Sequence, residues 1–324
     1  MAAPDPPGPD VSRVPTILGA LIPVHALCAL LVGLRIYTHS RPVVHLGWDD
    51  AAVVLAMAAT TTQFAIFLSA IPYGAGRHNI YILPDDQLKA SKLLFFSQFS
   101  WSWGVALGKI SIAFLLLQLR TGVYWHLFLY AMIAVQVASA LCANVVQLAR
   151  CRPISAAWRF ETDRAHCLST QIIYISSYTN GTIAVLTDLM LSVIPLTFLR
   201  NIRRSRRERL VIALLMGLGV FAAAAEVVKL THVRWYGQTG DMLWDCVGLV
   251  VWSVLAAQMG IIAACVPRLK SPLEAVLRRT GWLGEPSAQL QSINLYTDPP
   301  QSPDPLSSGG RTKVMINLPS SNCE

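Results

Sequence analysis

The chain has 324 residues, 54% of them hydrophobic and only 14% charged, with a formal net charge of +8. Soluble domains carry about 25% charged residues, and here the deficit runs the length of the chain. That excludes a soluble domain on a single anchor and points to a polytopic, all-α membrane protein. The basic excess flanks apolar runs, so it reads as a topology signal and a contact with anionic lipid, not as a nucleic-acid surface.

Residues 1–13 form a Pro-rich lead expected to be disordered. Without a basic n-region it is no cleavable signal peptide. Seven apolar spans follow, at about 14–37, 49–72, 93–119, 124–148, 172–199, 210–232 and 242–266. Each has roughly the 20 residues that a 30 Å hydrocarbon layer requires. Span two opens with Asp49 and Asp50, where carboxylates favour a helix N-terminus. Residues 80–92 read as a polar loop turning at Pro84. Phe95, Phe96, Phe99, Trp101 and Trp103 suit a headgroup zone at one end of span three. Pro267 is expected to end span seven. The membrane domain thus covers 14–270, and 271–324 reads as a mostly disordered cytoplasmic tail. Residues 271–283 could form a short amphipathic helix.

Orientation follows from the run between spans five and six, which holds Arg200, Arg203, Arg204, Arg206, Arg207 and Arg209. Each guanidinium at the bilayer centre costs roughly 2.5–3.5 kcal/mol, and short basic loops stay cytoplasmic. Alternation then puts the N-terminus outside and the C-terminus in the cytosol.

Of seven cysteines, Cys28, Cys142, Cys246 and Cys265 fall in apolar runs and read as small core residues. Cys151 and Cys167 share one outer loop facing an oxidising compartment, where a disulfide is expected. It would close a loop of about 17 residues, contributing about 3 kcal/mol in the chain-entropy model. The loop is either a shaped lid or simply a stiffened connection. The sequon at Asn180 lies inside span five and should go unused.

Five ionisable residues fall within spans: Lys109, Asp188, Glu226, Lys229 and Asp245. Charge at that depth needs a partner. Lys109 lies eleven residues before Arg120, and Asp188 twelve before Arg200. At 1.5 Å per residue both sit roughly 17 Å from the same face, so a Lys109–Asp188 pair is expected. Glu226 and Lys229 are three apart on one helix face, and Asp245 lies near the outer mouth. Such pairs either fix packing or line a polar cavity. Span seven has no lysine for a retinal Schiff base, and no catalytic or metal-binding motif occurs. No cofactor and no metal are expected.

Taken in order, Arg35, Gly47-Trp48-Asp49-Asp50, Tyr73-Gly74, Gly76, His78, Lys109-Ile110-Ser111, Cys151, Pro153, Trp158, Cys167, Asp188, Pro195, Trp252 and Pro267 resemble the fungal seven-helix "rhodopsin domain" membrane family. That family includes receptor-like proteins of plant pathogens and members encoded in satratoxin-type clusters. The chain departs from it at Ala256, where a glutamate is frequent, and at Lys229, where an arginine is. The resemblance implies a membrane bundle and much less about activity. Three functions stay open. One is a receptor-like sensor relaying through its basic loop to a cytoplasmic partner. Another is an accessory protein of a secondary-metabolite pathway handling a hydrophobic small molecule. The third is an enzyme or transporter using the buried charges. A reporter inserted after Gln238 is expected on the non-cytosolic side; a cytosolic reporter would overturn this topology.

Overall fold

A computed structural model describes residues 11–40, 47–118, 122–159, 166–199, 206–235 and 241–279. Side chains are described to 194 in the fifth helix, from 211 to 234 in the sixth and to 269 in the seventh. The described residues contain seven long helices: α1 (Val14–His39), α2 (Trp48–Ala70), α3 (Pro84–Leu117), α4 (Val123–Ala149), α5 (Thr170–Leu199), α6 (Arg206–Trp235) and α7 (Met242–Arg279). By length and composition α1–α4, α6 and α7 are each able to cross a bilayer. The protein is therefore a multi-pass membrane bundle, because only helices and closed barrels satisfy their backbone polar groups in lipid. The chain divides into two compact units, Met1–Ala275 and Val276–Glu324. The bundle belongs to the first; of the second, only the helical backbone to Arg279 is described.

Two prolines behave differently from the sequence expectation. Pro84 does not turn a loop; it occupies the first turn of α3, with Leu83 as N-cap and Asp85 and Asp86 beside it. Its fixed φ suits that position and its missing N–H costs nothing there, while the two carboxylates complement the helix dipole. Pro267 does not end α7, which runs on to Arg279. Prolines are tolerated inside membrane helices when neighbours satisfy the freed backbone groups. Arg35 Nη1 donates to Ala264 O at 2.6 Å, next to the Ala263 carbonyl that Pro267 leaves without its helical donor. Residues 271–279 thus continue α7 and do not start a separate helix; 280–283 lie outside the described residues. So do 1–10, the tail from 280, and Arg203 and Arg204 of the basic loop. Arg206, Arg207 and Arg209 form the first turn of α6.

Small residues set the helix spacing. A Cβ at Gly104 of α3 would lie 2.7 Å from Thr60 Cγ2 of α2, and one at Gly219 of α6 would lie 3.0 Å from Ser192 Cβ of α5. Such close backbone approach drives membrane helices together where lipid removes the hydrophobic incentive. One apolar cluster, including Cys28, Val53, Ile261 and Cys265, joins α1, α2 and α7. Another, with Leu116, Leu129, Met132 and Leu191, joins α3, α4 and α5.

The bundle is closed differently at its two ends. At one end, Cys151 and Cys167 face each other on a two-stranded antiparallel ribbon, β1 (Cys151–Arg152) and β2 (His166–Cys167), and form a disulfide. The connection carries Trp158 onto Phe95 and Phe96, with ring centroids 5.2 and 6.0 Å apart. Of these α3 aromatics Phe95 is buried, whereas Phe96 is 45% exposed. At the same end Arg13 N donates to Gly76 O (3.2 Å), and Gly76 N donates to Leu243 O (3.2 Å). His78 stacks on Trp244 at 3.9 Å and meets Asp241 Oδ2 at 3.1 Å, while Arg13 lies 4.1 Å over the other Trp244 face. The Gly76–His78 stretch therefore ties the starts of α1 and α7 together.

Candidate functional site

The opposite end holds a buried ionic knot. Arg35, on the last turns of α1, is wholly buried, as are Asp49 and Asp50 in the first turn of α2. Arg35 Nη2 donates to Asp49 Oδ2 at 2.6 Å, and Nε donates to Asp50 Oδ1 at 2.7 Å. His39 Nδ1 lies 2.7 Å from Asp50 Oδ2, which also accepts from Gly47 N at 3.2 Å. Asp49 Oδ1 accepts from Gln118 Nε2 of α3 (3.0 Å), and its backbone carbonyl accepts from Ser111 Oγ (2.7 Å). From α7, Arg268 Nε donates to Asp49 Oδ2 at 3.2 Å and its Nη2 to Gln118. Two guanidiniums and two carboxylates thus balance, and α1, α2, α3 and α7 meet at one point. Burying ions is costly unless every donor and acceptor is engaged; here nearly all are.

Midway along the bundle lies a second polar layer. Lys109 of α3 sits 3.1 Å from Asp188 Oδ1 of α5. Its Nζ also donates to Ala184 O (3.0 Å) and Thr187 Oγ1 (3.1 Å). An ammonium has three protons, so these three acceptors saturate it. Glu226 and Lys229 pair along α6, and Lys229 Nζ lies 4.6 Å over the Trp101 ring of α3. Both are close enough to act on Asp188 through space. Below Asp188, a cavity of about 40 Å³ opens among Ile112, Leu116, Ser192, Gly219, Met259 and Ala263. It is apolar apart from the carboxylate and one hydroxyl.

The structure brings Lys109 to Asp188 and Glu226 to Lys229. Asp245 lies in the first turn of α7. Of the motif residues, Arg35, Gly47, Asp49 and Asp50 meet in the knot. Trp48 points away from it, 80% exposed, and Trp252 is half-buried on α7. Sequence reasoning did not place His39, Gln118 and Arg268 in the knot. It also passed over His25, whose ring nitrogens meet Gln258 Nε2 (2.6 Å) and Thr61 Oγ1 (3.2 Å). The signal available was a polar residue inside an apolar run, which His25 and Gln258 both show. Asn180 accepts from Ser139 Oγ at 2.7 Å between α5 and α4.

Seven long helices with charge buried and neutralised inside them define a polytopic membrane protein whose polar groups face one another. Residues 34–275 match the Fungal rhodopsin domain, and the chain belongs to that family. It is 24% identical to the polyenoic acids biosynthesis gene cluster protein Ba17b of Metarhizium anisopliae, over 77% of this chain and 71% of that one. It is 25% identical to a SAT4 family membrane protein of Emericella nidulans, over 69% of this chain and 53% of that one. Fugralins biosynthesis cluster protein 2 of Gibberella zeae is 26% identical over 45% of this chain and 35% of its own length. The chain thus spans about half of the second relative and a third of the third. No solved structure matches it.

Lys109→Met alone should lower the yield of folded protein, because it strands a buried carboxylate. Adding Asp188→Asn should restore part of that yield, as read by size-exclusion of tagged protein. A double variant no better than either single would show that the two charges are not coupled. Arg35→Met leaves two carboxylates uncompensated and should cost about 3–5 kcal/mol of stability, seen as a collapse in thermal stability in detergent.

Proposed function

We propose that this chain is an auxiliary, non-catalytic membrane component of a secondary-metabolite pathway, holding or sensing a hydrophobic small molecule with its ionic-knot end in the cytosol. The observation that supports this reading is the saturation of the buried Lys109 ammonium. Lys109 spends all three protons on Ala184 O, Thr187 and Asp188, so no free amine is held ready as a nucleophile or base. The neighbouring cavity of about 40 Å³ is small against the roughly 300–1,000 Å³ of small-molecule sites. The internal ions serve helix packing. Two of the relatives are named for biosynthetic gene clusters, one of them for polyenoic acids, which supports the pathway assignment.

A receptor-like reading draws on Arg268. It is the partly exposed cation of the knot, with its side chain 28% accessible. Chain alternation sets it on the same face as the basic run before α6, so a cytoplasmic partner engaging that face would act directly on the end of α7.

Deletion of the gene is expected to change metabolite yield while growth and signalling stay intact. Replacing the loop arginines by glutamine should leave yield unchanged at equal protein level. Altered signalling in that variant would move the assignment to the sensor. Turnover by purified protein that is lost in Asp188→Asn would overturn both readings.

A further inference from the structure

One lipid-facing feature is not absorbed by the packing role. Between α5 and α6, at the disulfide-bearing end, a groove of about 380 Å³ is lined by Tyr178, Val227, Leu230, Thr231 and Arg234. It exists because Leu230 is drawn inward against α5: a Cβ at Gly181 would lie 2.4 Å from Leu230 Cδ2. Val227 is 48% exposed and Tyr178 38% exposed, both towards the lipid side. None of the five lining residues is acidic. Arg234 is exposed at the rim, and among the described residues no carboxylate pairs with it.

The groove is graded in polarity. Arg234 is the penultimate residue of α6, where a membrane helix reaches the headgroup level. Val227 lies seven residues earlier, about 10 Å deeper at 1.5 Å per residue. A cation at the interface above an apolar trough matches an amphiphile with one anionic head and one chain. The guanidinium fork suits a carboxylate, which it can bind through two parallel bonds. A groove with one cation and a lining of Tyr178, Val227, Leu230 and Thr231 suits one head and one acyl chain better than the paired chains of a phospholipid.

We propose that this groove binds a single-chain, long-chain carboxylic acid from the membrane. Arg234 holds its carboxylate, and its chain lies along Leu230 and Val227. The inference deepens the pathway reading above by naming the ligand class, and it is testable in purified protein whatever the result of gene deletion.

The probe is palmitic acid carrying a photoreactive diazirine on its chain, applied to full-length protein in phosphatidylcholine nanodiscs. Crosslinks are expected on peptides containing Tyr178 and Val227. Excess palmitic acid should compete, whereas its methyl ester and phosphatidylglycerol should not. Arg234→Gln should weaken competition by about tenfold or more, the loss expected for a hydrogen bond to a charged group. Val227→Trp fills the trough from the lipid face, leaves the helix interfaces untouched and should abolish the crosslink. Equal competition by the methyl ester would remove the role of Arg234. Equal competition by phosphatidylglycerol would reduce the groove to ordinary annular lipid contact. Undiminished labelling of Val227→Trp would place the acid elsewhere.

Discussion

The bundle depends on a guanidinium held between two adjacent carboxylates in a place water does not reach. Arg35, Asp49 and Asp50 are each 0–1% exposed, so none can be left alone without a large desolvation penalty. The geometry removes that penalty in both directions. Arg35 satisfies both acids and reaches the Ala264 carbonyl, while Arg268, Gln118 and His39 take the remaining carboxylate lone pairs. Four helices are thereby fixed in register at one level. The same guanidinium also holds α7 one turn before Pro267, through the Ala264 carbonyl.

The same balance of donors and acceptors governs the middle of the bundle. Ions inside membranes usually mark a working site, and Lys109 and Asp188 first invite that reading. Their surroundings point the other way. The ammonium has three acceptors, its carboxylate partner is the nearest charge, and the adjoining space is small. Membership of the fungal rhodopsin domain family supplies the architecture and not the chemistry. The outside of the bundle faces the lipid bilayer.

Depth was legible in the sequence, and rotation was not. Helix rise is constant, so counting residues from Arg120 and Arg200 was enough to place Lys109 level with Asp188. Apolar run lengths likewise gave seven helices. Which way a side chain points about its helix axis depends on neighbours that only the fold supplies. Asp49 and Asp50 therefore read as helix-end acids, although both turn inward to Arg35. Trp48 beside them turns outward. Gln118 and Arg268 stand at helix ends, where polar residues are ordinary, and carried no distinguishing signal. Pro84 and Pro267 read as punctuation, yet one opens a helix and the other lies inside one.

The way α1 and α7 are fastened has a mechanical consequence. Near one end they share Arg13, Gly76, His78 and Trp244; at the other, Arg35 and Arg268 clamp both to Asp49. With α2 and α3 they make a stator, pinned top and bottom. By contrast, α5 and α6 meet α3 through polar contacts at mid-depth, Lys109 with Asp188 and Lys229 with Trp101, and α5 also packs on α3 through the apolar cluster of Leu116 and Leu191. Polar ties thus hold α1 and α7 near both ends and the α5–α6 pair at its waist, so a charge-removing substitution at mid-depth bears on α5 and α6 before it bears on α1 and α7.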